Sequence, residues 1–423
     1  MANKEDFKIL TAREHVRMRT GMYVGSSSVE EIERFVMGKW KTVRYVPALM
    51  KMVDEIIDNS VDESIRTKFK YANKISVHVD GNEITVEDNG RGIPQDEILD
   101  SETGKTILRP VAAWTRVNAG TSFDESRVTI GTNGVGSAAT NFLSSEFTGK
   151  TWCNGTLVEV SCSEGGLHIH SKTSSKTGSG TSVKFKPDFS VFSVDGLSEF
   201  DTIHLIEDRL VSLQMSFPEI KFSFNGNRIH TNDMKKYASL FFEEDMPAII
   251  EKSDSLNFFI GPSEDGYRFN SYVNGVNTRL GGVYNDFLVN TIVEHLFVLV
   301  KKKHKIEVVK STIKNGLTFI TFIRDFKNPK FDSQTKERLT NSLAEVREHY
   351  STTGVHDGLW LAKRIMNTPE IIDPIVAAQL AKKLAQDKRD ALAAQKKLRK
   401  VKVAKHVSAN KDDATLALVE GDS

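Results

Sequence analysis

Apolar residues recur at helical spacing across residues 46–65, where Leu49, Met52, Val53, Ile56 and Ile57 fall on one stripe. Ile75, Val77 and Val79 then alternate with polar residues. Asp80-Gly81-Asn82 supplies a turn, and Ile84 and Val86 resume the alternation. This pattern predicts a helix followed by a β-hairpin. Strands are expected at 156–161 and 181–186, with 171–180, rich in Ser, Thr, Lys and Gly, as a loop between them. Helical spacing at 201–213 and 234–243 brackets a strand at 220–224, and Asn225-Gly226 signals a hairpin. A boundary near residue 245 precedes a second set of elements. These are strands at 256–260, 267–273, 306–309 and 317–323, with helices at 287–301 and 336–349. They form a second α+β unit. Residues 374–402, rich in Ala, Lys and Leu, read as a long solvated helix leaving it.

The chain has 423 residues, enough for two to three domains, and 39% hydrophobic with 27% charged residues suits a soluble globular protein. A net charge of +1 excludes global attraction to nucleic acid, so any basic surface is local. Only Cys153 and Cys162 occur, which argues against a disulfide framework and for a reducing compartment. No apolar run is long enough to cross a bilayer, and the polar N-terminus lacks a signal-peptide core. A cytoplasmic, non-membrane protein is expected.

Two motifs about thirty residues apart carry the most chemistry. In Asp54-Glu55-Ile56-Ile57-Asp58-Asn59, Glu55 and Asn59 lie four apart on one helix face. Glu55 can take a proton from water, and Asn59 can offer its amide oxygen to Mg²⁺. A solvated acidic helix face would look the same. In Glu87-Asp88-Asn89-Gly90-Arg91-Gly92-Ile93-Pro94, Asp88 closes a strand and can accept an exocyclic amine, while Gly90 and Gly92 permit close backbone approach. The bland alternative is an ordinary Asp-Asn-Gly turn.

Gly131-Thr132-Asn133-Gly134-Val135-Gly136-Ser137 leads into a helix start, a backbone arrangement suited to phosphates. The same segment fits G-x-G-x-x-A, so a nicotinamide-binding oxidoreductase is a competing reading. No G-x-x-x-x-G-K-[ST] occurs, so ATP would be bound without a P-loop. Gly178-Ser179-Gly180-Thr181 opens a strand. Lys301-Lys302-Lys303-His304-Lys305 is either a solvated loop tip or a contact for DNA phosphates. Lys336 is either an exposed lysine after a capping residue or a point charge for a phosphate.

In order, Glu55, Asn59, Asp88, Gly92, the 131–137 loop and Gly180-Thr181 resemble the four motifs of the GHKL ATPases. Three further segments resemble type II DNA topoisomerases within that superfamily. They are Arg17-Met18-Arg19-Thr20-Gly21-Met22-Tyr23-Val24-Gly25, Ser271-Tyr272-Val273-Asn274-Gly275-Val276-Asn277-Thr278 with Gly281-Gly282, and Asn328-Pro329-Lys330-Phe331-Asp332-Ser333-Gln334-Thr335-Lys336. Leu418-Val419-Glu420-Gly421-Asp422-Ser423 resembles the first strand of a TOPRIM domain. The extended phosphate loop and the lysine run are more similar to the eukaryotic-type enzymes than to bacterial gyrase, and within the family the expectation is a large, ATPase subunit of the T-even bacteriophage type.

The resemblance implies an α+β architecture: a GHKL (Bergerat) ATPase α/β sandwich over 1–245, a transducer domain of ribosomal-S5-like fold ending in a long helix over 246–402, and a linker with the start of a TOPRIM domain over 403–423. It implies ATP and Mg²⁺ as cofactors, with Glu55 activating water and Lys336 and Gln334 meeting the γ-phosphate. Nucleotide contacts would come from Asn59, Asp88, Gly92, Ile93, Gly120, Thr121, Ser122, Gly131, Thr132, Asn133, Gly134, Val135, Gly136, Ser137 and Thr181. Asn59 would hold Mg²⁺, and Glu420 a second Mg²⁺ in a complete TOPRIM centre. Lys301, Lys302, Lys303 and Lys305 would touch double-stranded DNA. Further partners would be a second copy, in an ATP-dependent homodimer, and separate subunits carrying the cleavage tyrosine. The alternative within the superfamily is a nucleotide-gated clamp or chaperone-like module with little turnover.

Overall fold

The computed structural model describes residues 9–37, 39–120, 129–131, 134–240, 247–333 and 335–399. Two short helices, α1 (Ala12–Met18) and α2 (Thr20–Val24), open it, followed by the hairpin β1 (Glu30–Val36) and β2 (Lys39–Tyr45). α3 (Pro47–Arg66) starts with proline in its first turn, where the missing N–H costs nothing. The expected hairpin follows as β3 (Lys74–Asp80) and β4 (Glu83–Asp88). A small pair, β5 (Glu97–Leu99) and β6 (Thr106–Leu108), leads into α4 (Arg109–Thr115). After α5 (Gly136–Phe142) come β7 (Ser144–Cys153), β8 (Thr156–Ser163), β9 (His168–Ser175) and β10 (Gly180–Pro187). α6 (Thr202–Ser216), β11 (Lys221–Phe224), β12 (Asn227–Arg228) and α7 (Met234–Ser239) complete this half.

These strands form one eight-stranded sheet in the order β12-β11-β3-β4-β10-β7-β8-β9, with only β11 and β3 parallel. α3 packs against β4, β10, α5 and α6, so its buried stripe, including Met52, Val53, Ile56 and Ile57, lies over the sheet centre. The fold thereby sets the face carrying Glu55 and Asn59 beside the end of β4, which carries Asp88.

The second sheet has the order β13 (Ile249–Lys252), β14 (Leu256–Pro262), β17 (Leu317–Ile323), β15 (Arg268–Val273), β16 (Val276–Asn277). α8 (Val283–His304) and α9 (Lys310–Asn315) lie between β16 and β17 in sequence. α10 (Leu343–Thr352), α11 (Gly358–Met366) and α12 (Pro369–Arg399) follow. Every residue of β17 is buried. Phe319 and Ile323 join the core of α8, whereas Ile320 and Phe322 join the core of the first half. Tyr272 stacks on Phe322 at 4.7 Å, and Tyr237 from the first half meets Phe322 edge-on at 5.1 Å. The sheet is thus buried on both faces, and this explains why residues 317–323 read as a continuous apolar run.

Several expectations need correction. Residues 171–180 are not all loop, because β9 runs through Ser175. It is an edge strand with every side chain exposed, so no alternation marks it. Residues 306–309 form no strand; they connect α8 to α9, burying Val308 and leaving Val309 exposed. The helix expected at 336–349 begins only at Leu343, set by a capping box between Ser342 and Glu345. Leu339 has helical spacing but bridges Gly282 and Phe331 instead. α7 ends at Ser239, and 241–246 lie outside the described residues. Finally, α8 is long and apolar enough to cross a membrane, contrary to expectation, yet its face from Leu288 to Val300 is packed into the second core.

Candidate functional site

A cavity of about 1020 Å³ opens between α3, the end of β4, β10 and the glycine-rich loop. That is at the upper end of ordinary small-molecule sites. Glu55, Asn59, Asp88, Gly92, Ile93, Gly120, Gly131, Gly134, Val135, Gly136, Ser137, Thr181 and Lys336 all line it. The structure therefore gathers these thirteen expected residues around one space. Thr121, Ser122, Thr132, Asn133, Gln334 and Glu420 lie outside the described residues.

Asp88 is buried at the end of β4, opposite Thr181 of β10. It accepts from Ser60 Oγ and from the Gly90 amide, each at 2.7 Å. Burial raises its pKa to about 6, although those two bonds oppose the rise. Ser60, one residue past Asn59, has no motif to announce it. The turn after Asp88 is fixed from the helix: Glu63 accepts a fork from Arg91 at 2.7 and 3.0 Å. Gly92 has φ +77°, and a Cβ there would stand 2.7 Å from the Trp152 carbonyl oxygen, so the close approach requires glycine. The Ile93 amide donates to the buried Thr151 hydroxyl at 2.7 Å.

Glu55 is buried and paired with Lys51, one turn earlier, at 2.6 Å. Burial alone would raise its pKa. Lys51 and then Lys336 outweigh burial and hold the carboxyl below its ordinary value, so it is ionised at neutral pH. A Cβ on Gly136 would collide with the Glu55 carboxylate, so the loop passes against the acid only as glycine. Asn59 Nδ2 donates to Ser137 Oγ at 2.8 Å, which leaves Oδ1 as the amide's acceptor or ligand atom.

The glycine loop is anchored by Asp62, another residue without a motif. Asp62 accepts from the amides of Ile130 and Gly131 at 2.6 and 2.8 Å. Its burial raises its pKa to about 7. Lys336 comes from the second half of the chain, is only 4% exposed, and donates to the Ile130 carbonyl at 2.7 Å. Burial lowers its pKa first, and the charge of Lys51 lowers it further. Arg209 also ties the halves together. It is buried, pairs with Asp58 on α3 at 2.7 Å, and donates to the Gly275 carbonyl beside the second sheet.

Lys301, Lys302, Lys303 and Lys305 do not line the cavity. They cap the C-terminal end of α8, where Lys301 pairs with Glu307 at 2.9 Å and Lys303 Nζ donates to the Met366 carbonyl at 3.2 Å. The dinucleotide reading of Gly134–Ala139 fails on topology. Among the described residues no strand runs directly ahead of the segment, and α5 leads into β7, which pairs antiparallel with β10 and β8. Cys153 and Cys162 are both free thiols. No cluster of three metal-ligating His, Cys, Asp or Glu occurs among the described residues.

The family model described as "Histidine kinase-, DNA gyrase B-, and HSP90-like ATPase" matches residues 45–191, and that described as "DNA gyrase B" matches 240–397. The DNA topoisomerase large subunit of Enterobacteria phage T4 is 45% identical over 426 residues, covering 99% of this chain and 81% of that relative. Human DNA topoisomerase 2-beta is 30% identical over 78% of this chain, which spans only 21% of that relative's length. Among solved structures, the ATPase region of Saccharomyces cerevisiae topoisomerase II bound to ICRF-187 superposes with a TM-score of 0.78 at 25% identity, covering 88% of this chain and 99% of that one. The ATPase and transducer domains of topoisomerase II from Balamuthia mandrillaris share the fold at a TM-score of 0.79 and 24% identity, covering 90% of this chain and 100% of that one.

Proposed function

The chain belongs to the ATP-dependent type II DNA topoisomerases, with a GHKL ATPase fold and a transducer, and from that premise we propose that its cavity hydrolyses ATP and that ATP binding closes a gate between two copies of the chain. The observation that carries this reading is that Lys336, from beyond the second sheet, lies buried in the same cavity as Glu55 and Asp88. A ligand spanning that cavity touches both halves, so its presence biases their relative placement. We take the first half to end near residue 245 and the second to run to about 402.

In this reading Asp88 accepts the amine of adenine, and the loops around Gly131–Ser137 and Gly120 receive the phosphates. Glu55 accepts the proton of the water that attacks the γ-phosphorus. A new P–O bond forms as the β–γ bridge breaks, and the negative charge on the departing ADP and on the phosphate is met by Lys336. Catalysis of this kind rests on placement and charge more than on covalent chemistry. Asn59 would hold Mg²⁺ through Oδ1. The free amide oxygen, left over once Nδ2 has donated to Ser137, is the oxygen donor such a cation takes alongside phosphates. When bound, the cation would offset phosphate charge.

The gate would capture a DNA duplex, with Lys301, Lys302, Lys303 and Lys305 meeting phosphates. Separate subunits would supply the cleavage tyrosine, in a host-cell cytoplasm. One observation favours a clamp with little turnover: Lys51 engages the carboxylate assigned as base. Steady-state hydrolysis with and without duplex DNA, alongside light scattering with a non-hydrolysable ATP analogue, decides. DNA-stimulated turnover together with analogue-dependent dimers supports the gate. Dimers without turnover support the clamp, and neither rejects both.

A further inference from the structure

Lys336 sits at φ +59°, a left-handed conformation that residues with a Cβ disfavour. Something outside the turn must hold it. The next residue, Glu337, supplies the hold. Its carboxylate accepts a planar fork from Arg279, Nε to Oε1 at 2.6 Å and Nη2 to Oε2 at 2.9 Å. The Leu280 amide donates to the Glu337 carbonyl at 2.9 Å. Two residues on, the Leu339 amide donates to the Gly281 carbonyl at 3.1 Å, and the Val283 amide to the Leu339 carbonyl at 3.3 Å. Gly282, at φ +132°, permits this approach, since a Cβ there would collide with Leu339. The Lys336 turn is therefore clipped to residues 279–283, and among the described residues its side-chain clip to that segment is the Arg279–Glu337 fork.

We propose that Arg279 is a positioning residue for Lys336: by gripping Glu337 it holds the left-handed turn that aims the lysine into the cavity. Arg279 itself does not line that cavity. A bidentate guanidinium–carboxylate pair fixes angle as well as distance, which is what a turn of this kind requires. The inference rests on the reading of Lys336 as the γ-phosphate contact.

The test compares Arg279→Ala, Glu337→Ala, the double variant, and the swap Arg279→Glu with Glu337→Arg. Each is scored by kcat and KM for ATP, by ADP affinity, and by amide hydrogen exchange without nucleotide. Each single alanine variant should lower kcat about ten- to a hundredfold, as small misplacements do, with ADP affinity held within about threefold. The double variant should be no worse than either single, because both remove one interaction. The swap should restore most of kcat. Exchange at Leu280 and Leu339 should quicken in the singles and slow again in the swap. Wild-type kcat in the singles, additive losses in the double, loss of ADP affinity matching the loss of kcat, or a swap that rescues neither readout would overturn the proposal. If the wild-type chain neither binds nor hydrolyses ATP, the ATPase reading fails instead, and exchange alone still decides whether Arg279 holds the turn.

Discussion

Lys336 Nζ donates to the carbonyl oxygen of Ile130, 206 residues away in sequence, at 2.7 Å. The amide of the same Ile130 donates to Asp62 at 2.6 Å. One residue of the glycine loop thus joins a lysine from the second half to an acid on α3. A phosphate in the cavity would compete with the Ile130 carbonyl for Lys336, and its full charge makes it the stronger acceptor. Lys336→Ala should lower kcat for ATP about a hundred- to a thousandfold, the usual loss for a preorganised charge donor. It should also weaken analogue-dependent dimerisation. Steady-state kinetics and light scattering check both, and unchanged values in both would remove the lysine from the site.

Asp88 has a pKa of about 6, and an ionised carboxylate is the better acceptor for the adenine amine. Bound adenine favours the ionised form, so affinity should be full above pH 6 and fall as pH drops through it. The limit is about tenfold per pH unit. Asp88→Asn should bind adenosine weakly and without this pH dependence. Calorimetric titration with adenosine, which carries no titrating phosphate, checks the slope; equal slopes in both proteins would deny Asp88 the role.

Asp62 carries a stability signature of opposite sign to that of a salt-bridged acid. Burial raises it from the usual 3.8 to about 7, so between those values the unfolded chain releases a proton that the folded chain keeps. Its contribution is complete below pH about 4 and is lost as pH rises through about 7, with a ceiling near ~4 kcal/mol for a shift of about three units. Asp62→Asn keeps one acceptor oxygen for the loop amides but cannot ionise. Thermal unfolding at pH 5 and pH 8 should show a smaller drop in Tm for the variant than for wild type. An equal drop would show that Asp62 is already ionised at pH 5 in the folded protein, its carboxyl not raised by burial.

The lysines at the end of α8 lie outside the cavity. Replacing Lys301, Lys302, Lys303 and Lys305 with alanine should leave hydrolysis without DNA nearly unchanged and abolish most DNA stimulation. The salt dependence of DNA binding should flatten by about 0.9 in log–log slope for each phosphate that is no longer neutralised. Stimulation and slope equal to wild type would reduce the run to a solvated helix end.

The sequence made the α3 stripe and the β3–β4 hairpin legible because apolar residues keep to one face of each, although the charged face of α3, with Lys51, Glu55, Asp58 and Asp62, is buried as well. Glu55, Asn59 and Asp88 were legible as types and spacings, Lys336 only through the family resemblance, and the structure brings all four to one cavity. Ser60, Asp62 and Thr151 were not. Each acts through a single hydrogen bond or a pair of them, made across 28 to 69 residues of chain, and no local pattern encodes that. β9 escaped because an exposed edge strand needs no apolar alternation. The stretch from Lys336 to Asn341 escaped because tertiary contacts at Arg279 and Gly282 override its helical spacing.

The most direct test separates binding from chemistry at Glu55. Wild type and Glu55→Ala are compared for the equilibrium affinity of a non-hydrolysable ATP analogue and for the single-turnover rate with ATP. The variant should bind the analogue within a few-fold of wild type and still dimerise with it, while the rate falls by about 10²–10⁴-fold. Turnover near the wild-type rate in Glu55→Ala would contradict the account.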